Sequence, residues 1–423
     1  MRIPPASPLS NGAFRALWIA ATFSWVGTWI QDVGESWLML SLTRNPLLVA
    51  MLTTSFTLPA FSLMLPAGVL ADRLDRRRIL LFAQGWMALV SLTLALITKM
   101  GHPTPVTLLI ASASLGVGSA MSSPSWQSLV PDLVPRAQTA EAVTLNSLAF
   151  NIARMVGPAL GGLVLGAMGP AGAFALNAVS FLAVIEVVRR YPHIRDVSLR
   201  SGGVRRQESL RAALFSAFRE VRQSPPLRAL YTSVAAFGLA ASGISALLPV
   251  FAKHDLLTSA RGYGALLGAL GAGATLAALV LRRLRATFHV KNLVAGAMAL
   301  YGLAALALSA VHSLGPAVVL LVFAGAGWLS SLSTLNALVQ LNAPAWAKSR
   351  ILALYQVSFL ATWSIGASVA GFIATHLDVA PAMAISAVGA LAAAALSTRL
   401  QLPSYEDPVA PAPVSVRADA RGA

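Results

Sequence analysis

No cysteine occurs in the chain, which excludes disulfides and thiolate metal sites from the outset. The six histidines are scattered without ligand spacing, so no metal site is expected. Charge is also scarce, at 11% of residues, where a soluble domain carries about a quarter. Acidic residues are the scarcest, 15 against 31 lysines and arginines. No Gly-x-x-x-x-Gly-Lys-[Ser/Thr] stretch occurs, so nothing here binds ATP in the P-loop manner. The opening segment, Met1 to Asn11, lacks an apolar core and a small-residue cleavage site. No removable leader is expected, and the first apolar run acts as its own anchor.

What the chain has is apolar length: 57% of its 423 residues are hydrophobic and the mean hydropathy is +0.71. Crossing roughly 30 Å of hydrocarbon takes about 20 helical residues. Windows of that kind occur at 14–42, 46–71, 79–98, 104–125, 142–168, 171–190, 227–252, 262–284, 290–311, 315–338, 350–375 and 379–400. The expected fold is therefore an all-α membrane protein with twelve transmembrane helices. The first window exceeds one crossing and must tilt or protrude.

The longest polar stretch, 191–226, divides the chain. The reading is a cytoplasmic tail at 1–13, a six-helix bundle at 14–190, a basic cytoplasmic linker at 191–226, a second six-helix bundle at 227–400 and a disordered tail at 401–423. Within the linker, Glu208 to Gln223 puts Leu210, Ala213, Leu214, Ala217, Phe218 and Val221 on one side of a surface helix.

The net charge of +16 would point a soluble protein toward nucleic acid. Here the basic residues cluster at span ends, so no nucleic-acid partner is expected and the bilayer itself is the partner. With the amino terminus inside, 26 of the 31 fall in cytoplasmic segments, four fall outside, and Arg154 alone lies within a span. This split predicts a multi-pass protein of a bacterial cytoplasmic membrane with both termini cytoplasmic.

The two halves resemble each other. Val156-Gly157-Pro158-Ala159-Leu160-Gly161-Gly162 aligns with Ile365-Gly366-Ala367-Ser368-Val369-Ala370-Gly371 at an offset of 209. Phe14-Arg15-Ala16-Leu17-Trp18 aligns with Leu227-Arg228-Ala229-Leu230-Tyr231 at an offset of 213. Two six-helix repeats of one orientation are the arrangement of a rocker-type secondary transporter.

The charged turn between the second and third spans carries a more specific signal. Gly68, Asp72, Arg73, Arg76 and Arg77 match the pattern G-x-x-x-D-[RK]-x-G-[RK]-[RK], and Asp75 stands where that pattern has glycine. The turn resembles the loop motif of the major facilitator superfamily. Asp75-Arg76-Arg77-Arg78 is similar to the enterobactin-exporter-like branch, also called transmembrane secretion effectors. Gly157, Pro158, Gly161 and Gly162 resemble the fifth-span motif of superfamily antiporters, and the likeness covers about residues 12–400.

This resemblance implies two pseudo-symmetric bundles working by alternating access. It implies a cavity lined by spans 1, 4, 7 and 10, hence by Trp25, Trp29, Phe237 and Trp328. It also implies that Asp72 gates the cytoplasmic side, near Lys348 and Arg350 at the start of span 11. Efflux of a siderophore-like metabolite or a drug is favoured over nutrient uptake.

Few residues are left to carry chemistry. Asp32 and Glu35 lie one turn apart in the first span, with Gln31 and Trp29 beside them. Carboxylates at membrane depth must face water or a partner. Either they bind protons or a cationic group of the substrate, or the overlong helix carries them to the outer surface. Arg154 has three open fates: pairing with Asp32 as a switchable ion pair, binding an anionic substrate, or snorkelling toward the cytoplasm.

The motif glycines and Pro158, with Gly264, Gly268, Gly271 and Gly273, read as close helix packing. Asn146, Asn151, Asn336, Gln340 and Gln356 read as inter-helix hydrogen-bond partners, and Trp37 as an interfacial anchor. The expected function is proton-coupled export of a small amphipathic molecule by a monomer that needs no cofactor. The alternatives are a lipid or lysophospholipid facilitator of the same fold, and a non-transporting membrane scaffold or sensor that uses the basic linker.

Overall fold

A computed structural model describes residues 7–63, 66–67, 75–191, 218–344 and 347–404. The described chain is helical throughout its length. α1 is Gly12–Leu42, α2 Pro46–Ser62, α3 Arg76–Lys99, α4 Pro105–Asp132 and α5 Thr139–Arg190. α6 is Pro225–His254, α7 Ala260–Thr287, α8 Val290–Leu308, α9 Leu314–Asn342, α10 Lys348–Leu377 and α11 Val379–Arg399.

Several of these helices start at polar side chains that cap them. Asn11 accepts hydrogen bonds from the Ala13 and Phe14 amides, and Asn45 from Leu47, just ahead of Pro46. Ser224 accepts from Leu227, ahead of Pro225 and Pro226. Such side chains satisfy amides that have no partner within the helix.

α5 is really two helices. At Gly169 the backbone leaves the helical region (φ 68°, ψ −178°) and Pro170 starts the next limb. Among the described residues, nine helices are long and apolar enough to cross a bilayer, the 141–190 one counting once. Its two limbs, with α1 and the shorter α2, bring the passes to the twelve expected. The second window, 46–71, is described in part: the helix over Pro46–Ser62 contains Pro59 and is capped at Leu63, 66–67 are helical, and 64–65 and 68–71 lie outside the described residues. Residues 68–74 and 192–217 lie outside the described residues, and with them most of the expected surface helix; 218–223 is helical.

α1–α5 form the first half and α6–α11 the second. Both are tied in the same way. Trp18 donates its indole N–H from α1 to the Leu145 carbonyl of α5 at 2.9 Å. Tyr231, the repeat-equivalent residue in α6, donates its hydroxyl to the Ile351 carbonyl of α10 at 2.6 Å. Around them Phe14 and Leu17, like Leu227 and Leu230, are buried, while Arg15 and Arg228 are exposed.

Two seams join the halves. In one, Gly162 of α5 meets α7: a Cβ on Gly162 would lie 2.9 Å from Gly264 Cα and 2.8 Å from the Ala260 carbonyl. In the other, Gly371 of α10 meets α2, where a Cβ would lie 2.6 Å from Ala50 Cβ. Thr54 and Thr57 of α2 also hydrogen-bond Ser364 and Ser368 of α10, Thr54 to Ser368 at 2.8 Å. These positions are equivalent under the repeat, so the seams are pseudo-symmetric.

The motif glycines divide their work. Gly157 and Gly161 admit Trp29 and Val33 of α1 within the first half, and Gly162 admits the second half. Gly268 and Gly271 of α7 lie against Ala159 and Met155.

Candidate inter-half site

The chain alternates between two faces. The terminal face holds the start of α1 and the end of α11. The far face holds the α1–α2, α6–α7 and α10–α11 connections. The candidate site lies between the halves, closed toward the far face. There Trp37 of α1 stacks on Tyr263 of α7 with centroids 6.1 Å apart. Lys253 of α6 donates to the Leu40 carbonyl at 2.9 Å and lies 5.7 Å from the Trp37 ring centre. Trp37 is therefore part of an inter-half closure and not an anchor in the lipid interface.

Asp32 lies about one turn below this closure. Its side chain is exposed and holds no hydrogen bond or ion pair among the described residues. Tyr263 of α7, in the second half, lies within electrostatic reach of it. Glu35, one turn along the same helix, is 3% exposed and turns inward among the helices of its own half. The sequence placed the two carboxylates on one face; in space they serve two environments.

The surroundings of Glu35 have a single polarity. Ser180 Oγ donates to Asn177 Oδ1 at 2.9 Å, and Asn177 Nδ2 to Gln31 Oε1 at 2.7 Å. Ser91 Oγ donates to the same Gln31 oxygen at 2.7 Å. The Gln31 amide is thereby turned so that Nε2 donates to Glu35 Oε1 at 2.7 Å, and Ser112 Oγ donates to Oε2 at 2.9 Å. Four segments, α1, α3, α4 and the second limb of α5, thus join in one network that ends on this carboxylate, with Ser180 Oγ also 2.7 Å from the Asn177 carbonyl. Among the described residues no cation takes part, and these fixed dipoles compensate a charge that hydrocarbon would reject. Gln31 belongs to this sealed network and not to the open site.

Arg154 of α5 is the basic counterpart. Its Cζ lies 3.6 Å from the ring centre of Trp328 of α9, in the other half. Among the described residues it pairs with no carboxylate and donates no hydrogen bond, and none of its nitrogens is sealed from solvent. It is therefore not paired with Asp32 in this conformation. Trp328 keeps its place by packing, its indole N–H being buried without a partner. It meets Trp363 of α10 edge-on at 6.4 Å, and Phe359 lies 5.5 Å from Trp363.

The other expected cavity residues divide. Trp25 packs edge-on against Trp126 and Phe150, and Trp29 lies against Gly157. Phe237 corrects the expectation: it is fully buried against Tyr301 inside the second half, centroids 5.3 Å apart, and lines nothing open. Asn146 accepts the Trp126 indole N–H, as expected of an inter-helix amide. The Asn336–Gln340 contact stays within α9, and Gln356 is exposed.

Of the charged turn, Gly68, Asp72 and Arg73 lie outside the described residues, as does the Arg76 side chain. Asp75 has a clear local role. It caps α3, accepting from the Arg77 amide at 2.9 Å, and lies 3.7 Å from Arg78 Nε. Arg77 in turn donates to the Val188 and Arg189 carbonyls at the end of α5, at 3.1 and 3.3 Å. An aspartate in the glycine position of the pattern thus starts a helix whose first turn ties down the end of the sixth span.

Comparison with known proteins agrees with this architecture. The family described as transmembrane secretion effector matches residues 3–416. The chain is 24% identical over 388 residues to an enterobactin exporter, EntS, of Citrobacter koseri, covering 90% of this chain and 89% of that one. It is 30% identical over 162 residues to a staphyloferrin A transporter of Staphylococcus aureus, covering 38% of this chain and 41% of that one. Among solved structures, a bacterial homologue of the lysosomal transporter Spinster superposes with a TM-score of 0.74 at 15% identity, covering 94% and 97% of the two chains. The nucleoside transporter NupG gives 0.75 at 14% identity, covering 92% and 99%. At such identities the structural likeness speaks to the fold alone.

Proposed function

The chain belongs to the transmembrane secretion effector family of the major facilitator superfamily, and on that premise we propose that it is a proton-coupled exporter of a small amphipathic molecule, working by alternating access. The observation that carries the proposal is Asp32: a carboxylate between the halves, open and without a partner among the described residues, one turn from a second carboxylate that is sealed. An unpaired carboxylate at membrane depth is costly unless it meets water, a cation or a proton. Two negative charges one turn apart add to that cost. Taking up a proton while the site faces one side, and giving it back on the other, relieves it.

In this scheme the terminal face is cytoplasmic, in keeping with where the lysines and arginines cluster. Substrate entering from that face displaces the proton from Asp32. The Trp37–Tyr263 and Lys253–Leu40 closure then parts to release substrate outward, and Asp32 takes its next proton from outside. The seams at Gly162 and Gly371 serve as the surfaces on which the halves rock. The names of its relatives make siderophores the first substrate class to try.

The test is flux in proteoliposomes, with enterobactin and staphyloferrin A as probes. Reversing an imposed pH gradient should reverse the direction of net accumulation of the transported probe. Equal accumulation with and without the gradient would remove proton coupling and leave a facilitator.

A further inference from the structure

We propose that Arg154 and Trp328 form a subsite for a flat organic anion, so that the exported molecule carries an oxyanion, such as a carboxylate, beside an aromatic or otherwise planar group. This rests on the reading of the inter-half space as the substrate site. It does not rest on proton coupling.

A guanidinium at membrane depth normally appears with a carboxylate or with backbone carbonyls to accept its hydrogen bonds. Arg154 has neither among the described residues; its contact is the face of Trp328. Stacking an arginine on an indole contributes on the order of 2 kcal/mol when desolvated and satisfies none of its five N–H donors. The arginine is also not tucked away, since none of its nitrogens is sealed. The side chain is therefore placed but not neutralised.

The stacked geometry fixes what it is placed for. With Arg154 Cζ 3.6 Å from the ring centre, the indole covers one side of the guanidinium, and a planar oxyanion can approach from the uncovered side and accept two of its N–H groups in parallel. A flat group attached to that oxyanion then runs along the aromatic wall made by Trp328, Trp363 and Phe359. The partners come from opposite halves, Arg154 from α5 and Trp328 from α9. A ligand held here touches both moving parts of the transporter. Asp32, on α1 of the same half as Arg154, remains unpaired and free for a proton.

The proposal separates charge from shape, and so does its test. Equilibrium binding of three probes is measured by calorimetry on the full-length transporter in nanodiscs, with no gradient. The probes are 2-naphthoate, which is flat and anionic, cyclohexanecarboxylate, which is anionic without a flat ring, and 2-naphthamide, which is flat and neutral. The parent should bind 2-naphthoate at least tenfold more tightly than the other two. Arg154→Gln should erase the preference for naphthoate over naphthamide, and Trp328→Leu the preference for naphthoate over cyclohexanecarboxylate. Arg154→Lys and Trp328→Phe, which keep charge and aromaticity, should retain part of each and guard against misfolding.

Absence of 2-naphthoate binding to a folded parent, or equal binding by the parent and Arg154→Gln, would overturn the subsite. Failure of proton coupling would leave these equilibria unchanged and show only in the flux assay.

Discussion

Gly169 and Asp378, 209 residues apart, hold the same backbone conformation: φ 68° and ψ −178° at the glycine, φ 69° and ψ 173° at the aspartate. Each joins the fifth span of its half to the sixth. The repeat seen in the sequence is therefore reproduced down to a single pair of dihedral angles. This region of backbone space is essentially reserved for glycine, and a residue with a Cβ held there costs about 1–3 kcal/mol. Asp378→Gly should stabilise the protein by about 1–2 kcal/mol, read as a rise in the melting temperature in detergent. Gly169→Ala should lower it.

Much of this architecture was legible in the chain, for physical reasons that particular residues illustrate. Span positions follow from apolar length, and the repeat shows in the sequence where packing is tightest, at Gly157–Gly162 and Gly366–Gly371. The site was half legible. Asp32, Glu35 and Arg154 stood out because charge is rare in hydrocarbon. That Glu35 turns inward while Asp32 stays open depends on the crossing of α1 with its neighbours, which helical spacing alone does not give. Ser91, Ser112 and Ser180 were missed because a hydroxyl costs little inside a helix and leaves no mark on hydropathy. Asn177, an amide alone in its apolar run, was the available clue to the network. Tyr263 and Lys253 contribute only once the two halves meet.

The Glu35 network predicts a graded response to mutation. Gln31→Leu leaves the Ser91 hydroxyl and the Asn177 Nδ2 without their acceptor and Glu35 Oε1 without its donor, at about 1–3 kcal/mol for every buried group so orphaned. Ser112→Ala removes one of two donors to Glu35 and costs about 1–2 kcal/mol. Denaturant titration should rank Gln31→Leu as clearly the more damaging. Equal effects would show that the donors do not act through Gln31.

The seam between α5 and α7 has no room for side chains. A Cβ on Gly264 would lie 2.8 Å from Gly162 Cα, so Gly264→Val should hold the halves apart near the far face. Because the chain has no cysteine, a Trp37→Cys, Tyr263→Cys pair can report the closure without background. Cross-linking should proceed readily in the parent and fall several-fold when Gly264→Val is added.

Asp255 sits just past the end of α6. Burial raises its carboxyl above the ordinary 3.8; the charges of His254 and His312 pull it down in part, and Asp378 pushes it up. A folded state whose acid has a raised pKa binds protons more tightly than the unfolded chain, so stability falls as pH rises through the window from 3.8 upward. Asp255→Asn should remove that loss: more stable than the parent at pH 7, with the advantage vanishing below 3.8. Melting curves across pH would show the two converging in acid.

The central claim is that Asp32 carries the exchanged proton, and one comparison addresses it most directly. Parent and Asp32→Asn are reconstituted in proteoliposomes, and each is assayed for accumulation driven by a pH gradient and for gradient-free exchange of labelled against unlabelled substrate. The account predicts that Asp32→Asn loses gradient-driven accumulation at least tenfold while exchange continues. Gradient-driven accumulation at the parental rate in Asp32→Asn would contradict it.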